Sequence, residues 1–342
     1  MVVTAKSQEH KTMSQKLFST RSLNHSTTKS ISHSTNPPLV SVIMNCLNCA
    51  KYLREAIDSV FAQTYTDWEI IFWDNASTDN SAEIAKSYGE KVRYFRSKET
   101  VPLGKARNWA IEKARGKYIA FLDCDDVWLP QKLEKQIPLF EKNPRVGLAF
   151  CDTIFFNKKG KEMQLYKRKK PPRGQVFKEL LKEYFLSMET VVIRKKALNS
   201  LSQWFDDRFN IIEEAELFLR MAYKGWEFDY VDEPLAKWRV HSESWTFSKK
   251  YLFPQEVEIM LKKFSNLFDS FEKKFENEIR FLKSKIQYQY AILEWQKGKN
   301  NVRKRLRPYL FTRKRYFIPY IFSFFPYSFY KKLVSFFRIL PD

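Results

Sequence analysis

Tyr118-Ile119-Ala120-Phe121-Leu122-Asp123-Cys124-Asp125-Asp126 is the stretch on which the fold turns. A short apolar run reads as a strand covered on both faces. Three carboxylates within four positions follow it directly. In an open α/β sheet, ligands sit beyond the carboxyl ends of the strands, so this acidic cluster lies where a ligand would be held. Hard cations such as Mg²⁺ or Mn²⁺ prefer carboxylate oxygens and commonly carry substrate phosphates as further ligands. The bland alternative is a solvated acidic turn that opens the next helix, and an Asp-x-Asp alone is too common to decide between them.

Working outward, the same alternation repeats. Leu39 to Met44 is a β-branched apolar run, and a helix follows with Tyr52, Leu53, Ala56, Ile57, Val60 and Phe61 on one face. Glu69 to Trp73 is a second strand, Asp79 to Tyr88 a helix, and Val92 to Phe95 a third strand. Gly104 to Arg115 is a helix closed by Gly116, and Pro130 to Glu141 is another, with Pro130 suited to its first turn. Strands and helices alternating at this spacing imply an α/β domain with a mostly parallel sheet. Beyond Gly147 the expectation is strands over Val146 to Phe156, Thr190 to Ile193 and Glu227 to Val231, and a helix over Ile211 to Tyr223. Lys158 to Arg173, basic and containing Pro171 and Pro172, reads as a mobile loop.

The ends differ from this middle. Residues 1 to about 36 are rich in Ser, Thr, Lys and His and poor in large apolar groups, so disorder is expected. From Lys297 onward the chain carries twelve Lys or Arg and one acidic residue, within an overall net charge of +21. Tyr316 to Ile339 interleaves Phe and Tyr with basic residues, and Pro319 and Pro326 interrupt it. No run is long and apolar enough to span a bilayer, and no signal-peptide pattern follows Met1. The expectation is a protein on the cytoplasmic side whose residues 249–342 form a helical, basic, aromatic region lying on the inner face of the membrane, held by an anionic lipid surface. The alternative is a helical cap packed on the catalytic domain. No nucleic-acid-binding motif is present, and none is expected to bind.

There are four cysteines, Cys46, Cys49, Cys124 and Cys151, and their spacing is not that of a secreted scaffold. Reduced thiols are the expectation. Cys46-Leu47-Asn48-Cys49 has the spacing of a redox motif, but the helices and strands after it do not suit that reading, and zinc would need two further ligands.

A second polar cluster, Asp74-Asn75-Ala76-Ser77-Thr78-Asp79, follows the second strand. Its Asp and Asn can hydrogen-bond a ring such as uracil, while Asp79 can cap the following helix. With Arg107-Asn108 between them, these two acidic strand ends resemble the family-2 glycosyltransferases of the GT-A fold. Residues 38–48, Gln63 to Glu69, Asp74 to Ser81, Ala106 to Asn108, Gly116 to Pro130 and Phe209 to His241 all fall in that family's order. The resemblance covers about residues 38 to 248. It implies a GT-A (Rossmann-like) α/β domain, with a mixed, mostly parallel sheet flanked by helices, over residues 37–248, and a helical extension after it.

The resemblance also implies roles. Asp123 contacts the donor ribose, Asp125 holds the metal, and Asp74 and Asn75 hold the base. Arg107 and Asn108 shape the donor pocket, to which Asn45, Asn48 and Cys124 also belong. Glu213-Glu214 stands where the family has Glu-Asp, making Glu214, or its neighbour Glu213, the general base. Trp238-Arg239-Val240-His241 matches a late segment whose His completes the metal site. Of the four histidines, His241 is the only one beyond residue 36, which excludes a multi-His centre and leaves a Mg²⁺ or Mn²⁺ shared with Asp125. The chain departs from the family pattern with Leu47 in place of an aromatic, Asn75 in place of a second Asp, and Glu214 in place of Asp. The implied activity is inverting transfer from a nucleotide-sugar, a UDP-sugar, to a glycan or lipid-linked acceptor. The competing reading is a non-catalytic polyanion- or sugar-binding protein.

Overall fold

The computed structural model describes residues 37–241, 244 and 249–337; the tail expected to be disordered lies outside them. Nine strands form one sheet, in the order β3-β2-β1-β4-β8-β6-β9-β5, with β7 on the flank of β6. They are β1 (Val40–Cys46), β2 (Trp68–Asp74), β3 (Val92–Arg96), β4 (Tyr118–Phe121), β5 (Val127–Trp128), β6 (Val146–Phe156), β7 (Glu162–Gln164), β8 (Val192–Arg194) and β9 (Glu227–Arg239). β3, β2, β1 and β4 run parallel, and β8 enters antiparallel beside β4. The parallel half therefore ends its strands along one edge: Cys46 pairs in register with Asp74, and Ile43 with Phe121.

The period-2 pattern of the strands sorts their side chains to two faces. Val42, Met44, Ile70, Phe72 and Ala120 face one core, covered by α1 (Ala50–Phe61), α2 (Ser81–Lys86) and, through Leu133, Ile137 and Phe140, α4 (Lys132–Lys142). Ile43, Ile71, Trp73, Ile119 and Phe121 face the other. That core is covered by α3 (Leu103–Lys113), α5 (Phe177–Lys182), α6 (Lys195–Asn199) and α7 (Glu213–Tyr223). A sheet sandwiched in this way needs apolar residues on both faces, which is why the parallel strands read as continuous apolar runs.

The seam expected near residue 248 is not a boundary of the core. Val257, Met260, Leu261 and Phe264, on the helix Phe253–Leu267, and Ile279, Leu282 and Ile286, on the helix Glu276–Gln296, are buried in the same cluster as α3 and α7. The cap reading therefore holds for the first two long helices of the extension. A separate small cluster, built on Ala291, Trp295, Val302, Leu306, Tyr316 and Tyr330, holds the rest together. Among the described residues no helix is long and apolar enough to cross a membrane.

Two further expectations change. Lys158 to Arg173 is not a free loop. β7 pairs with β6, Tyr166 is buried, and Lys170 and Arg173 are ion-paired to Asp232 and Asp229 of β9. β9 runs well past Val231, taking up Pro234 through register shifts against β6. That extra length carries the chain back toward the end of β4.

Candidate active site

Three polar loops of the site follow the ends of β1, β2 and β4. The loop after β2 is organised by Asp74. This fully buried carboxylate accepts from the Ser77 backbone amide at 2.7 Å, from the Tyr94 hydroxyl at 2.6 Å and from Arg96 at 2.6 Å. Asn75 is engaged too, donating to the Val101 carbonyl at 2.8 Å and accepting from the Val101 amide at 3.1 Å. Both side chains are thus taken up by partners within the fold, whereas the expected base contact would require them free. Asn108 likewise turns away: its carboxamide donates to Phe205 O and accepts from Phe205 N, clamping α3 to the loop before α7. Asp79 accepts from Ala50 N and Ser81 N, so one carboxylate serves the starts of α1 and α2.

Asn48 sits at the tip of the loop between β1 and α1, with φ of 57°, and its Oδ1 accepts from the Thr78 amide at 2.7 Å. Asn tolerates this left-handed backbone better than most residues. Asn45, one residue before the end of β1, has its Nδ2 buried without a hydrogen bond among the described residues. Its carbonyl accepts from the Cys124 thiol at 3.3 Å. The expectation of four reduced thiols is corrected here: Cys46 and Cys49 are joined as a disulfide, and Cys124 and Cys151 are the free, buried cysteines.

The acidic loop after β4 meets two distant parts of the chain. The Asp125 carboxylate lies 2.8 Å from His241 Nε2. β9 delivers that histidine, because the Arg239 amide donates to Asp126 Oδ1 and its guanidinium to the Asp125 carbonyl, each at 2.8 Å. Burial, then Glu189, pushes the Asp126 carboxyl well above the usual range. On the other side the buried Arg107 donates to Asp123 at 3.3 Å and to Glu213 at 2.7 Å. One guanidinium thereby brings the end of β4 and the start of α7 to the same cleft.

The two carboxylates that open α7 differ in environment. Glu213 is buried and tied to Arg107. Glu214 is half-buried and accepts from the Tyr184 hydroxyl at 2.9 Å. Burial, then the adjacent Glu213, pushes the Glu214 carboxyl up to about 8. Tyr184 carries no signal in the sequence, because it sits in an irregular segment after α5 with no motif around it. The amides leading into α7 are capped from outside the helix: Glu256, on the helix Phe253–Leu267, accepts from Asn210, Ile211 and Ile212 N–H.

The residues present suit a divalent cation. A carboxylate oxygen and an imidazole nitrogen face each other at Asp125 and His241. The second ring nitrogen, Nδ1, is buried without a hydrogen bond among the described residues, so Asp125 is what orients the ring. An oxygen–nitrogen pair that is only partly buried matches Mg²⁺ or Mn²⁺ that retains water or phosphate ligands.

An acidic loop at the parallel edge, tied through Arg107 to the carboxylate-bearing start of α7, is the kind of site that glycosyltransferases of the GT-A fold carry. The comparisons agree on that class. The model of glycosyl transferase family 2 matches residues 41–202. An uncharacterized glycosyltransferase of Methanocaldococcus jannaschii is 33% identical over 208 residues, 59% of this chain and 71% of the relative. Among solved structures, the mannosyltransferase PcManGT of Pyrobaculum calidifontis, in complex with GDP-Man and Mn²⁺, superposes with a TM-score of 0.55 at 17% identity, over 75% of this chain and 72% of that one. Staphylococcus aureus TarS 1-349, in complex with UDP-GlcNAc, does so with a TM-score of 0.54 at 15% identity, over 78% and 85%. The chain is a glycosyltransferase and belongs to glycosyl transferase family 2.

Proposed function

We propose that the cleft transfers a sugar from a nucleoside-diphosphate-sugar, a UDP-sugar, to a hydroxyl of a glycan or lipid-linked acceptor, with inversion at the anomeric carbon. The observation that carries this reading is Arg107. By holding Asp123 and Glu213 at once, it sets the donor loop and the start of α7 on either side of one space. Asp123, more than a third exposed, is placed to accept from a ribose hydroxyl. Asn45 Nδ2 offers an unused donor at the same edge. Asp125 and His241 are the residues that would hold Mg²⁺ or Mn²⁺, whose charge stabilises a departing diphosphate. PcManGT with GDP-Man and Mn²⁺, and TarS with UDP-GlcNAc, support the donor class.

Glu214 is the better base of the pair. Glu213 Oε1 is held in the Arg107 ion pair, whereas Glu214 is met by a neutral hydroxyl and holds its proton until about pH 8. A carboxylate of that basicity accepts a proton from an attacking hydroxyl more readily than an ordinary one. The Tyr184 hydroxyl orients it. The acceptor and the membrane are read from the extension: Phe311 is 95% exposed and is followed by Arg313, Lys314 and Arg315, while Phe324 is 73% exposed with Arg303 over its ring. Such a surface suits the inner leaflet of an anionic membrane, where lipid-linked acceptors are presented.

The test is nucleoside diphosphate release from a panel of UDP- and GDP-sugars with Mn²⁺. Asp125→Asn and Glu214→Gln are expected to lose about 10²-fold or more in turnover while still unfolding in one cooperative transition. Wild-type turnover in Glu214→Gln would remove that residue from the role, and no release from any donor by the wild type would remove the reading.

A further inference from the structure

The transfer reading leaves the Cys46–Cys49 pair without a task. Cys46 is the last residue of β1 and is buried. Cys49 stands immediately before α1 and is half-exposed. Their sulfurs are bonded, and the sulfur of Cys124, inside the acidic loop, belongs to the same cluster, all three lying within 4.8 Å. In the transfer reading the loop they close is a wall of the donor pocket. Its amides are fastened to the loop after β2: Asn48 N donates to Ser77 Oγ, Cys49 N to Ser81 Oγ and Ala50 N to Asp79. Cys124 fastens the same strand end to the acidic loop by donating to Asn45 O. Three chain segments that meet the donor therefore converge on these sulfurs.

We propose that Cys46–Cys49 is an exchangeable disulfide, a thiol-exchange site at which a reducing dithiol loosens the donor pocket. This deepens the transferase reading and rests on it for the word donor. A disulfide buried on both sides is closed to exchange, but here Cys49 is only partly buried, beside the exposed Leu47 and Asn48. A thiolate of the dithiol attacks Cys49 Sγ, and Cys46 leaves and takes a proton. The second thiol of the reagent then attacks the mixed disulfide, so the reagent becomes a cyclic disulfide and Cys49 a thiol. Two electrons and two protons pass to the protein. The bond closes a four-residue loop that holds Asn48 in its left-handed conformation. Once it opens, that backbone is free to relax, and the three amide bonds to Ser77, Ser81 and Asp79 lose their shared anchor.

The test uses full-length protein with and without dithiothreitol. Alkylation under denaturing conditions is expected to label Cys124 and Cys151 before reduction and all four cysteines after it. Amide hydrogen exchange at Asn48, Cys49 and Ala50 is expected to rise about fivefold or more on reduction, with exchange across β6 unchanged. Cys46→Ser/Cys49→Ser is expected to exchange at the reduced rate whether or not dithiothreitol is present. Four labelled cysteines in unreduced protein, or equal exchange in both states, would overturn the proposal; the wild-type comparison alone decides it if the variant does not fold. The readouts need no transfer, so a responsive loop in a protein that binds neither Mn²⁺–UDP nor Mn²⁺–GDP would retire the donor reading and keep the disulfide.

Discussion

Glu214 carries a testable pH signature. Its carboxyl titrates near 8 in the fold, against an ordinary 4.5, because burial and Glu213 disfavour the charge. Transfer by the deprotonated form is therefore expected to rise with pH and level off above about 8, and a Tyr184→Phe variant is expected to shift that limb. The same shift has the opposite sign for stability. Between about 4.5 and 8 the folded protein retains a proton that the unfolded chain releases, so stability falls as pH rises through that window. Glu214→Gln is expected to flatten this slope, as read from urea midpoints at pH 5 and pH 8. At this scale the sequence singled out Asp123, Asp125, Glu213, Glu214 and His241 as candidates, because charged residues at strand and helix ends have few structural uses, and Arg107 and the Asp125–His241 contact tie them into two groups. It did not reveal that Asp74, Asn75 and Asn108 face inward. The partners that turn them, Arg96, Val101 and Phe205, lie tens of residues away along the chain, or nearly a hundred for Phe205.

Secondary elements were legible where their pattern is local. β1 to β4 show as apolar runs, and β6 falls on the expected residues. β5, with two residues, is too short to leave a periodic trace, and β9 passes through a proline that argues against a strand until the bulges against β6 are seen. Two element-scale predictions follow from close contacts. Gly116 packs so near β1 that a Cβ there would lie 2.6 Å from Ser41 N, while its own amide donates to Ser41 Oγ. Gly116→Ala is expected to cost about 2 kcal/mol or more in urea unfolding, since the backbone must move. Glu256→Ala leaves the amides before α7 without their acceptor, and is expected to cost about 1–3 kcal/mol and to lower turnover, because α7 presents Glu213 and Glu214.

Across the whole molecule the extension has two characters. Its first long helices share the main core and are tied to α7 by Lys263, which pairs with Asp206 and Glu216, as well as by Glu256. A chain ending at residue 248 is therefore expected to melt without a cooperative transition rather than to behave as a free catalytic domain. The later part packs on its own small cluster and leaves Phe311, Ile321, Phe324 and Phe325 exposed. Phe311→Ser combined with Phe324→Ser is expected to reduce flotation with anionic vesicles by about tenfold while leaving the melting point in place, and unchanged flotation would end the membrane assignment. Sequence periodicity marked both halves alike as basic and aromatic. Which half is core depends on a partner surface that the pattern does not display. The cap on α7 also has a consequence for how the protein is made. A nascent chain halted on the ribosome before the Phe253 helix emerges already contains the acidic loop, Arg107 and the Glu213-Glu214 pair, yet α7 lacks an acceptor for the amides at its entrance. The enzyme's fold is completed by a segment translated after its proposed active site.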